Sequence, residues 1–198
     1  MIFGLSLIAM ASSLQCQTDR PVDDAKGLSV GATAPTFSAL DENRTLFHLE
    51  HALKEGPVVL IFYRGHWCPV CNKHLGQIQD SLKLIEENGA KVIAISPEKP
   101  EYLDEMAEKT GAQFTLLYDE EYIIANAYDV TFKPRATELF TYNTFLGANL
   151  KEAHSDDSQR LPIPATYIID RGGKIAWRQF DPNYKKRSSV KDIIENLP

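Results

Sequence analysis

Cys68 and Cys71 stand in the run FYRGHWCPVC, residues 62–71, separated by Pro69 and Val70. Two thiols at this spacing can open and close as a disulfide. The reactive form of such a pair is the thiolate. A cysteine at a helix N-terminus meets free N–H groups and the positive end of the helix dipole, and both favour the anion. Cys68 is expected at that cap, as the more exposed and more acidic thiol. Pro69 then falls in the first turn, where its missing N–H costs nothing. Cys71 follows beneath Cys68 on the same turn. Three neighbours bear on the chemistry. Arg64 either plays a structural part or holds an anionic or oxyanion group. His66 either faces solvent or lowers the pKa of Cys68 as a nearby cation. Trp67 is expected to cover the flank of the thiol.

Metal binding is the competing use of a C-x-x-C pair. Zinc takes about four ligands. His74 would supply a third, leaving His48, His51, His154 or a carboxylate to complete the set. Cys16 lies far off in the N-terminal tail. Haem attachment needs a histidine directly after the second cysteine, and Asn72 occupies that place. A metal-binding or copper-delivery module therefore ranks third, and no metal or cofactor is expected. Three cysteines are too few, and odd in number, for a structural disulfide framework.

The pair must be positioned by the elements around it. VVLIFY, residues 58–63, is a continuous apolar run that suits a strand buried on both faces. Cys68 then sits just past the C-terminal end of a central strand, where α/β sheets place their sites. Leu75, Ile78, Leu82 and Ile85 recur at helical spacing, with Gly89 as the stop. KVIAIS (91–96) and FTLLYD (114–119) read as strands, separated by a helix over 100–111 with Pro at its start and Gly at its end. EYIIANAY (121–128) reads as a short helix, and the stretch 129–160 is less regular, partly helical around 135–146. ATYIID (165–170) and KIAWRQF (174–180) flank RGG as a hairpin. Val190, Ile193, Ile194 and Leu197 mark a final amphipathic helix. Strands alternating with helices and closing on a hairpin predict a layered α/β domain with a mixed sheet.

The 198 residues suit one domain, with 43% hydrophobic and 24% charged residues and a net charge of −6. That balance argues against nucleic acid as a partner. The basic cluster YKKR, residues 184–187, reads as a solvated turn. MIFGLSLIAM at the N-terminus is too short to span a bilayer and is similar to the apolar part of a secretory signal, with AMA (9–11) as a small-x-small cleavage pattern. The expectation is export, periplasmic or membrane-anchored through Cys16, if residues 1–16 are a signal, and a cytoplasmic protein otherwise. QTDRPVDDAKG, residues 17–27, reads as a linker, so the domain is expected over 28–198.

Beyond this point the sequence resembles a known family. FYRGHWCPVC is similar to the F-Y-R-G-x-W-C-P-x-C of the peroxiredoxin-like branch of the alkyl hydroperoxide reductase/thiol-specific antioxidant (AhpC/TSA) family, within the thioredoxin superfamily. VGATAPTFSALDENRTLFHL (30–49), VIAISPEKPE (92–101), DDSQRLPIPATYIIDRGGKI (156–175) and DPNYKKR (181–187) resemble further family blocks. The resemblance covers about residues 28–197. It implies a thioredoxin-like fold, a central mixed sheet flanked by helices. It also implies a cis-proline facing the dithiol, at Pro164. Its chemistry would be a Cys68–Cys71 couple that reduces peroxide or disulfide and is recycled by an external dithiol such as thioredoxin.

The departures from the family are as informative. Peroxiredoxins carry Thr or Ser three residues before the peroxidatic cysteine. In that register Cys68 replaces it and Cys71 takes the peroxidatic place. Arg64 stands where they have proline, and their activating arginine aligns with Pro164. Thioredoxin's buried acid corresponds to Phe62. The expected function is a peroxiredoxin-like thiol peroxidase, with protein disulfide reduction as the alternative.

Overall fold

The computed structural model describes residues 19–198. Cys16 and the apolar N-terminal run fall outside the described residues. The chain forms strands β1 (Ser38–Leu40) and β2 (Leu46–His48), helix α1 (Leu49–Glu55), β3 (Val58–Phe62), α2 (Pro69–Asp80), α3 (Leu82–Glu87), β4 (Lys91–Ser96), α4 (Pro100–Thr110) and β5 (Thr115–Tyr118). It continues through α5 (Ile123–Ala127), β6 (Thr131–Phe132), α6 (Ala136–Phe145), α7 (Leu150–Ala153), β7 (Leu161–Pro162), β8 (Ala165–Ile169), β9 (Ile175–Phe180) and α8 (Val190–Glu195).

The central sheet has the order β5-β4-β3-β8-β9. β3 runs parallel to β4 and antiparallel to β8, and β8 forms the expected hairpin with β9. The sheet is therefore mixed, with β3 at its centre. Successive strand residues point to opposite faces. Val59, Ile61 and Tyr63 join one core cluster with Leu75, Ile78, Leu82, Ile85, Leu103 and both dithiol cysteines. Val58, Leu60 and Phe62 join the other, with Leu49, Leu53, Ile124 and Tyr167. Helices cover both faces, so β3 reads as apolar without alternation.

Three local findings refine the sequence reading. The helix carrying Leu75 to Ile85 breaks at Ser81, whose N–H bonds back to the Ile78 and Gln79 carbonyls. All four apolar positions stay buried across the break, so the periodicity outlives the single helix it suggested. The segment 121–128 is a 3₁₀ turn (Glu120–Tyr122) followed by the five-residue α5. Residues 20–27 also pack on the domain. Ala25 is buried, Arg20 pairs with Asp129 and bonds the Thr131 carbonyl, and the Gly27 N–H bonds the Asp129 carbonyl. Among the described residues no helix is long and apolar enough to cross a membrane.

Candidate active site

The six residues after Phe62 turn the chain from β3 into α2. The Tyr63 N–H still bonds the Ile95 carbonyl, holding the start of the turn to β4. Gly65 has φ +154°, and a Cβ there would run into the Glu98 carboxylate and the Trp67 indole nitrogen. That crowding is the reason for glycine at this position. The Cys68 N–H closes the turn on the Gly65 carbonyl.

Cys68 is the N-cap of α2 and Pro69 its first residue, as the sequence predicts. Its sulfur takes the place of the usual capping oxygen, accepting the Cys71 N–H at 3.3 Å. The Arg64 guanidinium donates to the same sulfur through Nη2, also at 3.3 Å. Neither cysteine is in a disulfide. The proton shared with the Cys71 thiol is the strongest influence on Cys68. Arg64 and the Cys71 N–H add to it, outweighing burial, and the Cys68 pKa is lowered to about 5. Burial, and then the Cys68 anion beside it, push the Cys71 thiol well above its ordinary value. Cys68 is thus the acidic partner, as expected. The expectation that it is also the more exposed does not hold, since both side chains are buried. Cys71 lies on the inward face of α2, in the core with Leu75 and Ile78.

Arg64 is itself buried. Its Cζ lies 5.0 Å from the Trp67 ring centroid, 5.0 Å from Tyr142 and 4.1 Å from Tyr184. Its Nη1 donates to Tyr142 Oη at 3.1 Å, while Nε has no hydrogen-bond partner. Burial disfavours the charge, but the two cysteine sulfurs more than offset it, so Arg64 stays protonated. An aromatic cage of this kind favours a desolvated guanidinium. Trp67 is buried, packing on Arg64 and meeting Tyr142 at 4.9 Å between ring centroids.

His66 neither faces solvent nor bonds the Cys68 sulfur. It is buried against Glu98, whose carboxylate accepts the His66 N–H at 2.7 Å and meets Nδ1 at 2.8 Å, and it stacks on Tyr102. Burial raises the Glu98 pKa, with His66 working in the opposite direction. His66 and Glu98 therefore act as a buried post under the turn. His74, the third residue of the metal reading, places Nε2 3.0 Å from the Ser188 carbonyl. Burial, then repulsion from Arg187, lowers its pKa to about 4. A neutral imidazole can donate Nε2–H to that carbonyl, and among the described residues no group of three or more His, Cys, Asp or Glu is placed to hold a metal ion.

Pro164 is buried just before Ala165, which pairs with Phe62 at the site end of β3. Its peptide bond is trans, because no cis bond occurs among the described residues. The cis expectation came from family resemblance alone, and the geometry here departs from it.

Sequence reasoning missed two groups of site residues. Tyr142 comes from α6, far along the chain. Tyr184 and Arg187 come from YKKR, read as a solvated turn. Lys185 and Lys186 are exposed as that reading requires, but Tyr184 covers Arg64 and Arg187 Nη2 reaches to 3.6 Å from Cys71 Sγ. Their presence in the DPNYKKR block was the only available signal.

The family model for the AhpC/TSA family matches residues 30–178. The chain belongs to the AhpC/TSA family. Among curated relatives it is similar to peroxiredoxin Bcp of Escherichia coli, at 28% identity over 85% of this chain and 94% of that protein. It is also similar to the thiol-disulfide oxidoreductase ResA of Geobacillus thermodenitrificans, at 24% identity over 86% of this chain and 79% of that one. The crystal structure of peroxidoxin BcpB from Mycobacterium tuberculosis superposes with a TM-score of 0.66 at 21% identity, covering 86% of this chain and 96% of that one. These likenesses establish the thioredoxin-like fold for an AhpC/TSA domain whose site carries two cysteines on one helical turn.

Proposed function

We propose that this AhpC/TSA protein is a thiol-dependent peroxidase in which Cys68 attacks the peroxide and Cys71 resolves the product. The observation that carries the reading is the Cys68 sulfur, anionic at neutral pH and held by Arg64 and the Cys71 N–H. The thiolate attacks one oxygen of ROOH, an S–O bond forms and the O–O bond breaks. The departing RO⁻ takes a proton and leaves as ROH, and Cys68 becomes a sulfenic acid. Arg64 Nε, a donor without a partner, stabilises the leaving oxygen as its charge develops. Cys71 then displaces hydroxide from the sulfenic sulfur, forming the Cys68–Cys71 disulfide and water. An external dithiol of the thioredoxin type restores the pair, becoming a disulfide itself.

Stopped-flow mixing of the reduced protein with hydrogen peroxide tests this. One peroxide consumed per two thiols lost, with a Cys68–Cys71 disulfide as product, is the expected result. Disulfide reduction without peroxide turnover would favour the second reading, a thiol-disulfide oxidoreductase, which the likeness to ResA supports. Export through a signal over residues 1–16, with a cytoplasmic protein as the alternative, is part of this reading, and the domain is taken to start near residue 20, since Ala25 packs in its core. Fractionation of cells expressing the full chain tests the signal.

A further inference from the structure

A groove of about 600 Å³ runs along α2, starting at Pro69 beside Cys68. One wall is α2, with Lys73 and Gln77. The other is the arm before α8, with Lys185, Arg187 and Ser189. No carboxylate lines it, although the whole chain carries a net charge of −6. Among the described residues Lys73, Lys185 and Arg187 make no ion pair, whereas the adjacent Lys186 is taken by Asp181. Asp192, on the arm side, is engaged by the N–H and hydroxyl of Ser189.

Arg187 ties the groove to the dithiol. Its Nη2 points at Cys71 Sγ, while Nε and Nη1 are buried with no hydrogen-bond partner. Two guanidinium donors buried without a partner, on an arginine that makes no carboxylate ion pair, are costly, and an anion set against them removes that cost. The planar fork of arginine matches a carboxylate.

We propose that this groove is a subsite for the carboxylate of a small substrate whose reactive end meets the dithiol. Lys73 and Lys185 draw the anion in, and Arg187 receives it one guanidinium away from Cys71. The proposal rests on the dithiol peroxidase reading and deepens it. The carboxylate has two possible carriers, the hydroperoxide that oxidises Cys68 or the thiol that reduces the disulfide.

Matched pairs differing in charge separate the carriers. For the oxidative step, reduced protein is mixed with monoperoxysuccinic acid or with peracetic acid. For the reductive step, the oxidised protein is treated with 3-mercaptopropionate or with 2-mercaptoethanol, each rate being referred to that thiol's reaction with a small free disulfide. At low salt the charged member is expected to gain roughly tenfold in one step. The gain should fall towards one in the Lys73→Gln/Lys185→Gln protein, and in an Arg187→Gln protein. Both lysines are exposed, so the double variant does not put folding at stake. Succinate titrated into the reduced protein should also shift the amide resonances of residues 73 and 185–189. This readout does not depend on turnover. If hydrogen peroxide is not reduced, the peroxidase reading fails, while the succinate shifts and the thiol pair still decide the subsite. Absence of the shifts, or shifts without charge preference in either step, would overturn it.

Discussion

A thiol with a pKa near 5 is almost fully ionised at neutral pH, but each unit of acidity also lowers its intrinsic nucleophilicity. The gain at Cys68 is therefore in population and in leaving-group quality. Iodoacetamide should label Cys68 ahead of Cys71 in the reduced protein, with a rate that rises as pH increases through about 5 and then levels off. Peptide mapping after brief alkylation checks this, and predominant labelling of Cys71 would reverse the roles and restore the peroxiredoxin register. Arg64 carries the second prediction at this scale. Arg64→Gln removes a charge-assisted hydrogen bond from the sulfur and the unpartnered Nε donor proposed to meet the leaving oxygen. Peroxide reduction should slow by roughly a hundredfold, the loss typical of a missing oxyanion donor. Reduction of a small disulfide, which develops no oxyanion, should slow much less. Stopped-flow rates for both reactions in the two proteins compare them, and equal losses would make Arg64 a structural cation.

At the scale of elements, the site is a junction between the β3–α2 turn and the arm that precedes α8. The turn was legible because its residues are contiguous. An apolar strand, a glycine, a capping cysteine and a first-turn proline each have a local cause. The arm was not legible, because Tyr184 and Arg187 meet the turn across more than a hundred residues and share no periodicity with it. A run of basic residues gives no sign that one guanidinium folds inward. His74 fastens the arm through the Ser188 carbonyl, and Ser188 Oγ also bonds Thr166 Oγ1 on β8. Because the folded pKa of His74 lies near 4 and the ordinary value is 6.5, the unfolded chain binds the extra proton between those values. The stability due to neutral His74 is thus complete above about 6.5 and is lost as pH falls towards 4. Denaturant titrations across that window should show a slope smaller by up to about one proton in His74→Leu than in the parent. Identical slopes would mean that His74 is not held neutral in the folded arm.

On the scale of the whole molecule, the mixed sheet and its two helical layers were readable from hydrophobic patterning, since burial on both faces makes β3 apolar throughout and β4 apolar from Val92 to Ile95. What patterning could not locate is the edge of the packed body. The polar run 17–27 has a linker's composition, yet Ala25 is buried in the same core as the dithiol cysteines. The Lys133 N–H bonds the Arg20 carbonyl, and Arg20 bonds back to the Thr131 carbonyl on β6. A few backbone contacts and one small apolar side chain are enough to dock such a segment, and none of them leaves a periodic trace. A chain beginning at residue 28 should therefore fold but be less stable than one beginning at residue 19. The loss should be about 1–3 kcal/mol, from one buried alanine and several hydrogen bonds, less the entropy of ordering the segment. Urea unfolding of the two chains, with equal m-values confirming the same folded core, measures the difference. Because β6 leads towards α6, which carries Tyr142 to the Arg64 guanidinium, the shorter chain should also titrate Cys68 at a higher pH. Unchanged stability together with an unchanged Cys68 titration would return residues 20–27 to the role of a linker.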